Sequence, residues 1–189
     1  MQPTKVLMQE HRVIEQVLTC LLKLAEKAEG ENKLDAQSAR ETLEFLRGYA
    51  DKWHHCKEED RLFPIMEQRG FSPDDGPTCV MRIEHRQGRE HIRLMDESID
   101  GAAEGGAKDL ERFVRNARSY VVLLRQHIEK EDHCLFPMAD QALSQEDLQQ
   151  LARQFEEAER AAGGDESTAR FLGLADSLAR RLGVSVVGR

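Results

Sequence analysis

The stretch His54-His55-Cys56-Lys57-Glu58-Glu59-Asp60-Arg61-Leu62-Phe63-Pro64 recurs, in the same register, as His127-Ile128-Glu129-Lys130-Glu131-Asp132-His133-Cys134-Leu135-Phe136-Pro137. Each copy carries His-x-x-x-Glu followed by Leu-Phe-Pro. A helix repeats about every 3.6 residues, so in each copy an imidazole and a carboxylate share one face. A fold that uses the repeat must bring two long helices face to face with these pairs between them. The rest of the chain agrees with such a fold. Apolar residues recur at helical spacing over long stretches, a third of the residues are charged, and only five are proline, which together predict an all-α protein.

The apolar stripe Val6, Val13, Val17, Leu18, Leu21 and Leu24 predicts a first helix from about Thr4 to Glu29, stopping at Gly30. Asp35 is a candidate N-cap for a second helix that runs through the first motif toward Gly70, with Pro64 expected to kink or end it. After the breaker-rich loop 70–77, Pro77 can open a third helix reaching about Gly101. A fourth, from about Lys108 to Leu143, carries the second motif. Short loops between four long helices predict an up-down-up-down four-helix bundle over residues 1–143. Residues 144–189 add C-terminal helices, the first opened by the capping box Ser144-Gln145-Glu146-Asp147 and running to about Ala162, the second from Thr168 to Leu182. These are expected to pack on the bundle, or against a second subunit or a protein partner. The end, from Gly183, is expected to fray.

At 189 residues the chain suits one domain with a short appendage. A net charge of −8 without a basic, aromatic-rich patch argues against a nucleic-acid partner. No apolar run approaches a membrane span, and the start Met1-Gln2-Pro3-Thr4-Lys5 lacks the layout of a signal peptide. A soluble, cytoplasmic protein is expected. Cys20, Cys56, Cys79 and Cys134 show no Cys-x-x-Cys spacing, so free thiols are expected, with Cys56 and Cys134 beside the motifs as candidates for redox sensitivity.

Each long helix carries an inward candidate: His11, His54 or His55, His85, and His127. Glu131 lies in line with Tyr120, Leu124 and His127 on the apolar face of its helix, where an unpaired carboxylate would be costly. A metal ion supplies the missing partner. Aligned on Leu-Phe-Pro, His54 matches His127 and Glu58 matches Glu131, whereas His55 falls against Ile128. Register thus selects His54 and Glu58 and leaves His55 and Glu59 at the periphery or the surface; His91 is expected to be exposed. The predicted metal set is His11, His54, Glu58, His85, His127 and Glu131. Imidazole with carboxylate suits iron first, with manganese or zinc behind. Two ions fit if both carboxylates bridge them at the roughly 3.5–4 Å typical of paired metals.

These residues, with Gly76-Pro77 leading to Glu84-His85, resemble the hemerythrin-like, His-His-Glu cation-binding family over roughly residues 5–143. The resemblance implies the bundle and a diiron centre with an oxo or hydroxo bridge and bridging Glu58 and Glu131. Oxygen-carrying members have a fifth His one turn from the third-helix ligand; here Arg89 and Met81 stand there. That departure points away from reversible oxygen carriage, toward reaction with, or sensing of, dioxygen, peroxide or nitric oxide. The pattern is similar to bacterial stress-response proteins associated with iron-sulfur repair, whose small Cys-containing N-terminal domain this sequence lacks. Glu84 is a candidate proton relay or an orienting partner of His85. The alternative expectation is a redox sensor or iron-donating module that acts through a protein partner without turnover.

Overall fold

Pro3 occupies the first turn of α1 (Pro3–Glu31), where its missing N–H costs nothing. The helix passes the expected stop at Gly30 and ends at Asn32, whose left-handed backbone (φ 51°) turns its N–H onto the carbonyls of Ala28 and Glu29. The structure, a computed structural model, describes residues 2–188, and among these there are seven helices and no strand. α2 spans residues 36–68 and starts where Asp35 accepts the Ser38 N–H at 3.2 Å. α3 (Pro77–Asp96) ends five residues before the expected Gly101, and a short α4 (Ile99–Ala103) follows. Beside that break Ser98 Oγ donates to the Leu94 carbonyl at 2.7 Å. α5 spans residues 107–142. The Ser144–Asp147 capping box opens α6 (Gln145–Ala161). α7 (Gly164–Leu182) starts four residues earlier than Thr168, because Gly163 and Gly164 both take positive φ (103° and 58°) and turn the chain directly out of α6.

α1, α2, α3 and α5 form the up-down-up-down bundle, and α6 and α7 pack on its outside. The Phe171 ring of α7 lies over Gly48 of α2, where an added Cβ would come within 2.2 Å of it. Gln16 of α1 donates to the Ala175 carbonyl at 3.0 Å.

Pro64 does not end α2, which runs on to Gln68. Three segments instead wind as π-helix: Leu46–His55, Glu58–Leu62 and Glu131–Leu135. The last two occupy the same place in the two motif copies. Each begins on the motif Glu and closes with the Phe N–H, Phe63 or Phe136, bonded to that Glu's carbonyl five residues back. Proline offers no N–H and crowds the carbonyl four residues back. The wider turn just ahead of each proline accommodates both effects.

The apolar core has two main clusters, with a small third one of Cys20, Leu178 and Ala179 where α7 meets α1. The larger cluster includes Val13, Leu18, Phe45, Trp53, Ile92, Phe113, Tyr120 and Ile128, and the smaller includes Leu7, Leu62, Phe63, Met81, Leu135, Phe136, Leu151 and Phe155. Along every long helix the polar candidates lie between residues of one cluster and residues of the other. No helix among the described residues is long and apolar enough to cross a membrane.

Candidate metal centre

Seven residues, none more than 5% exposed, form the polar layer between the two clusters: His11 from α1, His54, His55 and Glu58 from α2, His85 from α3, and His127 and Glu131 from α5. Their donor atoms gather into two groups, each with all atoms within 4.8 Å of one another. One holds His11, His54, Glu58 and Glu131; the other holds His55, Glu58, His85 and His127. Glu58 belongs to both. Its Oε1 is 3.4 Å from His54 Nε2 and its Oε2 is 3.6 Å from His85 Nε2. Glu131 Oε2 lies 3.2 Å from both His11 Nε2 and His127 Nε2.

Both oxygens of Glu58 and of Glu131, together with Nε2 of His11 and of His54, are buried without a hydrogen-bond partner. Six such atoms in one layer would be a heavy desolvation cost for a bare protein. His85 Nε2 and His127 Nε2 face each other at 3.0 Å. Donors about 2.1 Å from a shared ion sit about 3 Å apart when adjacent, so these spacings are those that ligands of one metal take. The donor set therefore fits cations in both groups.

Each of the five histidines in the layer turns its other nitrogen, Nδ1, toward a carboxylate. His11 meets Asp132 at 2.7 Å, His54 meets Glu10 at 2.8 Å, His55 meets Asp51 at 3.4 Å, His85 meets Glu59 at 2.6 Å, and His127 meets Glu84 at 2.9 Å. A proton held on Nδ1 leaves the Nε2 lone pair free for a cation and fixes the ring's orientation. The carboxylates are held in turn: Asp132 by Arg12, Glu10 by Lys57, Asp51 and Glu59 by Arg89, and Glu84 by Lys130.

The structure brings together all six residues that the sequence singled out, and it corrects the place of a seventh. His55 is buried inside the layer, its ring stacked on His85 with centroids 3.7 Å apart. The Leu-Phe-Pro alignment set His55 aside because it falls against the apolar Ile128, yet at the end of the π-helical segment Leu46–His55 both adjacent histidines are buried in the layer. A fifth His is thus present, supplied by α2 rather than α3. Glu84 pairs with His127, not with its neighbour His85, whose partner is Glu59. Glu10, Asp51 and Asp132 were missed. Asp51 stands one turn before His55 on the same helix, a spacing the sequence shows, whereas Glu10 and Asp132 reach His54 and His11 across helices, which no spacing shows. His91 is half-buried, donates to Asn116 Oδ1 at 3.0 Å and lies outside both groups. All four cysteines are free; partial burial and the Asp60 carboxylate push the Cys56 thiol up to about 11, and Cys134 is exposed.

Burial works against a charge on His54, but Glu58 and Glu10 overcome it and carry its pKa up to about 10. Burial likewise opposes His127, and Glu131 and Glu84 raise it to about 10. Burial lowers His55, and burial with the charges of His55 and His127 lowers His85 strongly. Glu131 is buried, yet His127 and His11 hold its carboxyl well below the usual range.

A helical bundle with a buried layer of five His and two Glu defines a cation-binding domain. The family described as Hemerythrin HHE cation binding domain matches residues 2–139, and the chain belongs to it. Uncharacterized proteins of Mycobacterium tuberculosis and Mycobacterium bovis are 24% identical over 173 residues, which is 92% of this chain and 66% of theirs. The chain thus spans just under two thirds of the length of these relatives. The Iron-sulfur cluster repair protein YtfE of Yersinia pseudotuberculosis is 27% identical over 88 residues, 46% of this chain and 40% of that protein. No solved structure matches the chain at a significant level.

Proposed function

We propose that this protein holds a carboxylate-bridged pair of iron ions and uses it to react with or sense dioxygen, peroxide or nitric oxide. The observation that carries the reading is the set of six buried, partnerless donor atoms in one layer. Glu58 and Glu131 would be the shared carboxylates, since each stands beside histidines of both groups. His55, His85 and His127 would hold one ion, and His11 and His54 the other. The donors are nitrogen and oxygen with no thiolate among them, which suits iron. Iron there would supply a one-electron redox change and open positions for a small molecule.

The chain's own residues prepare that chemistry. The five carboxylates fix the imidazole tautomers, the two apolar clusters exclude bulk water, and the two glutamates offset the cations' charge. Were both glutamates to hold both ions, the His11 and His54 side would have fewer protein ligands and more room for a small molecule. With His55 in the layer, the histidine count no longer separates oxygen carriage from reaction. The similarity to an iron-sulfur cluster repair protein supports placing the chemistry in oxidative or nitrosative stress.

Protein loaded anaerobically with ferrous iron and titrated with dioxygen, peroxide and nitric oxide tests this reading by its visible spectrum. A change that saturates in proportion to bound iron is expected; failure to take up iron, or a spectrum blind to all three, contradicts it. Sustained turnover marks an enzyme. Binding without turnover marks a sensor or iron donor, a reading favoured by the contact between α6 and the residues behind His54.

A further inference from the structure

The cations behind the histidine-bound carboxylates are not alike. Arg12, Arg89 and Lys130 are 46%, 40% and 41% exposed, so water shares their charge. Lys57, behind Glu10, is 1% exposed. Its ammonium bonds Glu10 Oε1, lies 2.9 Å from Glu159 Oε1, and stands 5.2 Å from the Trp53 ring centre and 5.7 Å from that of Phe155. An ammonium this deep is tolerated only with its partners in place. Two of them, Glu159 and Phe155, belong to α6, beyond the segment that the family matches.

A continuous polar chain follows: Glu159, Lys57, Glu10, then His54 Nδ1, with His54 Nε2 in the metal layer. Glu10 Oε1 also accepts from Trp53 Nε1 at 3.1 Å. How strongly Glu10 pulls on the His54 proton sets how good a ligand His54 is, and that pull depends on how much of Glu10's charge Lys57 takes. Glu159 decides the share. We infer that Lys57 and Glu159 are positioning residues for His54, so that docking of α6 tunes the ion held by His11 and His54. The inference rests on the metal reading above. It adds that the helix outside the family segment controls one of the two positions.

The test is a cobalt(II) titration of the full chain, read by visible ligand-field bands and, before metal is added, by the indole N–H resonance of Trp53, the single tryptophan. Glu159→Gln should weaken one of two cobalt equivalents by about tenfold, alter its bands, leave the other equivalent unchanged and move the indole resonance. Lys57→Met should weaken the same equivalent, and the double variant should be no weaker than Lys57→Met alone. Arg69→Met removes the Arg69–Asp147 ion pair at the other end of α6 without touching Lys57; it should lower stability and leave both cobalt affinities unchanged. Glu159→Gln with wild-type affinities and an unmoved indole would overturn the inference, as would losses that add in the double variant. If Lys57→Met does not fold, Glu159→Gln decides alone, because that carboxylate is 34% exposed. Wild-type protein that takes up no cobalt would sink the metal reading together with the inference, whereas two normal equivalents unmoved by Glu159→Gln would sink the inference alone.

Discussion

Glu131 and Glu59 mark the extremes of what a single carboxylate does in this layer. Glu131 stands between two buried histidines, so Glu131→Ala should abolish metal binding at both positions. It should also remove the stability that bound metal confers, and chemical denaturation with and without metal checks both effects. The sequence register left Glu59 at the periphery or the surface. Its bond to His85 Nδ1 instead predicts that Glu59→Ala weakens metal binding about tenfold, seen by competitive chelation. His11, His54, His85, His127, Glu58 and Glu131 were legible because an apolar helical face exposes any polar residue placed on it. His55 was not, because its neighbour His54 satisfied the same pattern. The histidines also set a pH dependence for the metal-free protein. His54 and His127, raised to about 10, contribute stability that is full below their unfolded pKa near 6.5 and lost as pH rises toward 10. His55 and His85 are lowered, so their contribution is lost as pH falls through about 6.5, and that of Glu131 is lost below about 4. Metal-free stability should therefore peak near about pH 6.5. Metal must displace the protons on His54 and His127, so affinity should rise with pH from 7 toward 10 with measurable proton release.

The helices were legible nearly end to end, because apolar spacing, Asp35, Pro77 and the Ser144 box are local signals and act locally. What spacing could not show is the change of winding inside α2 and α5, where two of the three π segments start on a motif Glu and end just ahead of Phe-Pro. Leu-Phe-Pro is better understood as the stop of a π turn than as a helix end. The seat of α7 was equally silent: Gly48 reads as a weak point within a helix until Phe171 is found lying over it. Gly48→Ala would gain up to about 1 kcal/mol of helix preference. A Cβ 2.2 Å from the ring, however, forces repacking that costs about 1–3 kcal/mol. The steric term is larger, and the melting temperature should fall by a few degrees in a thermal scan.

The whole molecule is a bundle whose two apolar clusters are parted by a charged, histidine-rich layer, with α6 and α7 braced against α1 and α2. Such a layer is a weakness without cations and a clamp across four helices with them. Removing metal with a chelator should lower the melting temperature by about 10 °C, the shift expected when ligand exceeds its dissociation constant about a thousandfold. The same chain prepared without metal should keep its helices, because the two clusters do not depend on the layer. The most direct measurement of the central claim is anomalous diffraction from iron-loaded crystals. Two peaks about 3.5–4 Å apart, one bounded by His55, His85 and His127, the other by His11 and His54, with Glu58 and Glu131 between them, are predicted. A single peak, or iron bound only at surface carboxylates, would contradict the account.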